Sequence, residues 1–206
     1  MEHLVWADCE MTGLDLTRDA LIEIAVLVTD KDLNVVGEGI DLIIKPPDEA
    51  LEHMSEVVTE MHTKSGLLDA LPDGLTLNEA EAAVLDYVRG VVPEERKAPL
   101  AGNTIGTDRA FIQRDMPGFD GFLHYRNVDV SSIKELARRW YPRIAYNAPS
   151  KKGGHRALAD IQESIDELRY YRQTLFVDPP GPRKSLLAKT AALYSGDFSA
   201  TSPGLS

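Results

Sequence analysis

Three apolar, β-branched runs crowd the start of this chain, at residues 4–9, 21–29 and 35–44, before any helical pattern begins. Broken by turn-forming stretches such as Thr12-Gly13-Leu14 and Asp30-Lys31-Asp32, they predict three strands, and Pro46-Pro47 closes the unit. Apolar residues then recur at helical spacing over 53–61 and again over 77–91, there as Leu77, Ala80, Val84, Tyr87, Val88 and Val91. Short strands at 98–101 and 127–130 each precede a helical pattern. The first covers 107–115 with Thr107 as its N-cap, and the second runs from Ser131 or Ser132 to about residue 141. A loop at 142–154, rich in Pro, Asn, Lys and Gly, leads into a last helix over 156–175. Strands first and strand–helix units after predict one α/β domain on a mixed sheet. It is expected to span 1–177, with the Pro-, Gly- and Ser-rich residues 178–206 as a flexible tail carrying one amphipathic fragment at 186–193.

The first strand contains an energetic contradiction. Asp8 and Glu10 interrupt the apolar run Leu4-Val5-Trp6-Ala7, where an ionised carboxylate is costly unless it is paired or bound to a cation. Alternation along a strand puts both on one face and Cys9 on the other, where a small buried residue fits. Asp108 opens the helix after the 98–101 strand, and Asp160 lies near the start of the last helix. His155 stands just before that helix, with Gly153-Gly154 behind it. A first-turn carboxylate is also an ordinary dipole-stabilising choice, so Asp108 or Asp160 alone decides nothing. Taken together, these residues supply what metal-dependent phosphodiester hydrolysis requires. They concentrate negative charge for two divalent ions, Mg²⁺ or Mn²⁺ given the all-oxygen ligands, and add a base that works near neutral pH. Asp8 is expected to bridge the ions, Glu10 and Asp160 to complete one, Asp108 to support the other, and His155 to take the proton from water.

A net charge of -11 over 206 residues argues against stable binding to long nucleic acid. Residues 126–156 run the other way, with eight Lys or Arg against two acids. That segment reads either as a solvated helix face or as a phosphate-attracting rim ending at His155. Cys9 is the only cysteine, which excludes an intrachain disulfide and makes a Cys-based zinc site implausible. Met1-Glu2-His3 lacks the basic start of a signal peptide, and no apolar run approaches the roughly 20 residues that span a bilayer. A cytoplasmic location without a membrane partner is expected.

The order Asp8-x-Glu10, Asp108, then His155 and Asp160 resembles the DEDDh exonucleases. Flanking words narrow the resemblance to the oligoribonuclease family: Trp6-Ala7-Asp8-Cys9-Glu10-Met11-Thr12-Gly13-Leu14, Gly102-Asn103-Thr104-Ile105-Gly106-Thr107-Asp108-Arg109, and Tyr125-Arg126-Asn127-Val128-Asp129-Val130-Ser131. The stretch from His155 to Arg172 belongs with them, and the match covers roughly residues 3–176. This resemblance implies an RNase H-like fold, a mixed five-stranded sheet flanked by helices. It implies a homodimeric 3′→5′ exoribonuclease that cuts the shortest RNAs to 5′-mononucleotides. Dinucleotides stand first among these, including linear products of cyclic-dinucleotide signalling such as pGpG. By motif, Leu14 would wedge between two bases and His62 would contact the nucleotide. Thr104, Arg126 and Ser131 would hold the 5′ phosphate, with Tyr125 supplied across the dimer. Such a cap selects length by closing the site rather than by reading bases. Without the resemblance, Leu14 could fold on the core, Ser131 could be a helix cap and Tyr125 could be ordinary packing. Three positions depart from the pattern. Thr104 stands where serine is usual, Val57 where an aromatic residue often lines the pocket, and Thr107 where glutamine is more familiar.

Overall fold

The three leading runs form β1 (His3–Met11), β2 (Leu21–Asp30) and β3 (Val35–Ile43) in a computed structural model that describes residues 2–150 and 156–195. β1 pairs antiparallel with β2, and β2 antiparallel with β3. Two later strands join the other side. β4 (Pro99–Gly102) runs parallel to β1, and β5 (His124–Asp129) parallel to β4. Among the described residues this gives one mixed five-stranded sheet in the order β3-β2-β1-β4-β5, flanked by helices, as the sequence and its resemblance predict. The topology has a functional consequence. The C-terminal ends of β1, β4 and β5 face the same way, and that end of an open α/β sheet is where ligands bind.

The sheet is covered on both faces. Val5, Ala7 and Cys9 of β1 pack with Ile24, Val26 and Val28 of β2 in one core. That core also takes Ala80, Val84 and Val88 of α4 (Leu77–Val91), Phe111 and Ile112 of α5 (Gly106–Asp115), and Phe119 of a further short helix, Pro117–Phe122. The opposite parity of β1 carries Trp6, Asp8 and Glu10. Trp6 is fully buried and its indole Nε1 donates to Thr29 Oγ1 at 3.0 Å. The long helix Ala157–Thr174, α9 below, packs against β1, β2, β3 and β4 and brings Asp160 to the acidic face. Gly39 on β3 has φ +80°, and a Cβ there would sit 2.8 Å from Leu27 Cδ1 and 3.3 Å from Leu158 Cδ1. Glycine at 39 therefore lets the edge strand approach that helix.

Among the described residues up to Thr174, the remaining helices are α1 (Asp48–Glu52), α2 (Glu56–Lys64), α3 (Leu67–Ala70), a 3-10 turn at Leu71–Asp73, α6 (the Pro117–Phe122 helix), α7 (Val130–Trp140) and α8 (Pro142–Tyr146). The helix expected over 77–91 forms with those bounds. It starts in a capping box, Thr76 and Glu79 each bonding the other's backbone N–H, which is worth about 1 kcal/mol. Elsewhere the chain departs from the reading. The helical pattern over 53–61 is cut by Ser55, whose side chain caps α2 by accepting from Val58 N. Thr107 lies inside α5 rather than capping it. Asp129, not Ser131 or Ser132, caps α7. The supposed loop at 142–154 contains α8, begun by Pro142 at a first-turn position.

The chain divides into two units, Met1–Thr174 and Leu175–Ser206. In the second, Lys184–Leu193 forms a helix (α10) whose side chains are all exposed. Among the described residues, no helix is long and apolar enough to cross a membrane.

Candidate active site

Asp8 and Glu10 share one face of β1, and Asp160 enters from the first turn of α9. One carboxylate oxygen from each lies within 4.8 Å of the others. Asp108, in the first turn of α5, stands outside that close group. Its Oδ1 accepts a hydrogen bond from Cys9 N at 3.0 Å, which fixes the start of α5 to the strand between the two carboxylates. Burial is the first cause of the electrostatic state here. It pushes the Glu10 carboxyl up to about 7, with Glu23, Asp160 and Asp108 adding repulsion. Burial also lifts Asp108 to about 6, against the opposing hydrogen bond from Cys9. The Cys9 thiol is pushed up by burial and by the surrounding acids, so it remains a protonated core group. An all-oxygen set that strains against its own charge fits a hard divalent cation such as Mg²⁺ or Mn²⁺. Expected alongside these acids, His155 lies outside the described residues.

Two further groups back this site: Glu23, which the sequence did not single out, and His62, which the resemblance offered only as a nucleotide contact. Glu23 pairs directly with Glu10 across the β1–β2 ladder and is fully buried. Its Oε1 accepts from Arg156 Nε at 3.1 Å, and Arg156 Nη2 lies 3.8 Å from Asp41 Oδ2. Burial raises the Glu23 carboxyl, Asp41 adds to the rise, and Arg156 opposes it. The signal was available: Glu23 interrupts the apolar run of β2 as Asp8 and Glu10 interrupt β1. His62 differs from the expected nucleotide contact. Its ring is fully buried, with Nε2 3.0 Å from Met11 O and Nδ1 3.9 Å from Glu10 Oε2. It bears on the site through Glu10 and the end of β1.

Around the acidic group, the structure brings Thr104 and Ser131 together. Thr104 N donates to Asp129 Oδ1 and to Ser131 Oγ, both at 3.0 Å, and the two hydroxyls are 3.4 Å apart. Ser131 donates its own hydroxyl hydrogen to Asp129 at 2.6 Å. Thr104 has φ 54°, a left-handed conformation that costs a β-branched residue energy and that these bonds hold in place. Arg126 and Tyr125 are exposed on β5, the latter at 73%. Leu14 is also 73% exposed, so neither it nor Tyr125 is packed into the core of this chain. The Leu14 loop is closed from below by Asp19, which accepts from Asp15 N at 2.8 Å and Thr12 Oγ1 at 3.3 Å. A Cβ on Gly13 would fall 2.3 Å from Asp19 Oδ2, so a larger residue there would have to displace the Asp19 carboxylate from those bonds. Val57 is exposed on α2.

The geometry has counterparts. The RNase_T model, described as an exonuclease family, matches residues 5–168. An oligoribonuclease of Streptomyces griseus is 62% identical over 194 residues, 94% of this chain and 96% of that protein. The chain belongs to the oligoribonuclease family of 3′→5′ exoribonucleases. An oligoribonuclease of Leifsonia xyli is 61% identical over 181 residues, 88% of this chain and 87% of its own length. Among solved structures, exonuclease I of Methylocaldum szegediense superposes with a TM-score of 0.59 at 20% identity. The zinc-bound E. coli ExoI–ssDNA complex superposes at 0.65 with 15% identity. Each alignment covers 85% of this chain and 41% of the longer enzyme, and at such identities the likeness is one of fold. Membership of the family makes this chain a phosphodiester hydrolase.

Proposed function

We propose that this enzyme shortens very short RNAs from the 3′ end, dinucleotides above all, and releases 5′-mononucleotides. Linear dinucleotides such as pGpG fall in the same class. The observation that carries the reading is the convergence of Asp8, Glu10 and Asp160 at the C-terminal end of β1, beside a pair of hydroxyls on Thr104 and Ser131. The carboxylates would hold two Mg²⁺ or Mn²⁺ ions, with Asp108 in support. That charge, once bound, would let a phosphodiester approach this acidic face and would acidify water. His155 takes the proton from the attacking water. Buried His62 lies behind Glu10, its Nδ1 3.9 Å from the Glu10 carboxylate.

The other end of the substrate meets Arg126, whose planar fork suits a terminal phosphate, together with Thr104 Oγ1. Ser131 joins them by turning its hydroxyl away from Asp129. Leu14, exposed on its braced loop, stacks between the two bases. A homodimer completes the site with Tyr125 from the partner subunit. Exposed Trp140, Tyr141 and Tyr146 at the end of α7 and on α8 support such an interface. By contrast Tyr171 is fully buried, and Tyr170 is partly buried and tied by its hydroxyl to Ile144 O at 2.9 Å. The direct test is Asp8→Ala assayed on a dinucleotide with Mg²⁺: activity is lost while the circular dichroism spectrum is unchanged. Full activity in that variant would refute the assignment of the carboxylates.

A further inference from the structure

β5 does not run evenly along β4. Pro99 pairs with His124, and the next pair is Leu100 with Asn127, so Tyr125 and Arg126 are extra residues without a counterpart on β4. Such a bulge turns side chains out of their alternation and leaves main-chain groups outside the ladder. Here the Arg126 guanidinium comes to lie 5.3 Å from the centre of the Tyr125 ring. A buried side chain meets the carbonyls left behind. Arg109 Nη1 donates to Tyr125 O at 3.1 Å, to Arg126 O at 3.4 Å and to Asn127 Oδ1 at 2.6 Å. From the other side, Arg109 Nε donates to Asp120 Oδ1 at 2.9 Å and fixes the plane of the guanidinium. Arg109 is 7% exposed and follows Asp108 directly on α5.

We infer that Arg109 is a positioning residue that sets the reach of the 5′-phosphate cap from the metal-binding carboxylates. The inference rests on the reading of Arg126 as the ligand of that phosphate. One short path joins the two ends of the site: Cys9 N bonds Asp108, Asp108 adjoins Arg109, and Arg109 holds the main chain beneath Tyr125 and Arg126. A substrate of two nucleotides is then measured between two points fixed on one helix turn. Lysine at this position would keep the charge, but an ammonium cannot serve Asp120 and the bulge carbonyls in one plane. The bulge would loosen, and Arg126 with it, while the carboxylates would stay in place.

The test compares kcat/KM for a dinucleotide bearing a 5′ phosphate with that for the same dinucleotide bearing a 5′ hydroxyl. In the unaltered enzyme the phosphate is preferred. Absence of that preference would overturn the cap reading itself, and the inference with it. In Arg109→Lys the preference falls about tenfold, the equivalent of one good hydrogen bond. The fall lies in KM for the phosphorylated substrate, with kcat at saturation nearly unchanged. A folded Arg109→Lys protein that keeps the full preference overturns the inference and leaves the cap reading intact. Should that variant not fold, Asp120→Ala carries the test. The preference drops, and Asp120→Asn, which keeps an acceptor oxygen for Arg109, restores it. An undiminished preference in Asp120→Ala overturns the inference equally.

Discussion

Glu10 sits where a carboxylate is least comfortable, nearly buried, opposite Glu23 and within ligand distance of Asp8 and Asp160. Its carboxyl holds a proton up to about pH 7, and Asp108 up to about 6, whereas an unfolded chain releases both near 4. In metal-free protein the folded state therefore binds more protons than the unfolded state across that interval, and stability falls as pH rises through it. The melting temperature in EDTA should drop between pH 5 and pH 8, with Glu10 contributing about 2 kcal/mol. Glu10→Gln should flatten most of that slope, and Mg²⁺ should raise the melting temperature more at pH 8 than at pH 5. A flat profile in EDTA would contradict the electrostatics described here. At this scale the sequence was informative wherever charge broke an apolar pattern. Asp8 and Glu10 were legible for that reason, and Glu23 carried the same mark. Arg109 carried none, because its partners are main-chain carbonyls exposed by a bulge that no periodicity announces.

The elements meet through charged side chains at the head of α9. Arg156 reaches Glu23 on β2 and Asp41 beside it on β3, one residue from the proposed general base. Replacing it by methionine leaves Glu23 buried without that partner. The expected loss is about 1–3 kcal/mol, reduced from the fully buried case because the arginine is itself half exposed. Since burial raises the Glu23 carboxyl and the arginine opposes that rise by favouring the charged form, the loss should be larger at pH 8 than at pH 5. Chemical denaturation at the two pH values measures this, and an equal loss at both would show that the pair is not electrostatic in origin. Long elements such as α4, with one buried stripe, and β2, apolar and buried on both faces, could be read from the sequence. α6 and α8 could not. They are one or two turns long, begin at Pro117 and Pro142, and in the case of α6 contain Gly118 and Gly121, all of which mark loops in a sequence. The β5 bulge hid the true start of that strand in the same way, placing it at 127 instead of 124.

Across the whole molecule, four of the eight bases in the Lys- and Arg-rich residues 126–156 are taken up in ion pairs, Lys134 with Glu167, Arg138 and Arg139 with Glu135, and Arg156 with Glu23. The exposed aromatic end of α7 and α8 lies on the same basic stretch of sequence, which ties the proposed dimer to the proposed cap. Trp140→Glu should yield monomers by sedimentation and lower kcat/KM for dinucleotides, because Tyr125 would no longer reach a neighbouring site. A monomeric variant with undiminished activity would separate the two ideas. That the carboxylates lie at the C-terminal end of the parallel strands follows from topology, and topology was readable from the order of strands and helices. The length of the substrate was not, because it depends on how far β5 stands from β1. We propose that this distance closes the site after two nucleotides. Timed product ladders on 5′-labelled RNAs of two to seven residues test it most directly. Dinucleotides are expected to be cut markedly faster than every longer species, and equal rates for two and seven nucleotides would show that the site is open to longer strands.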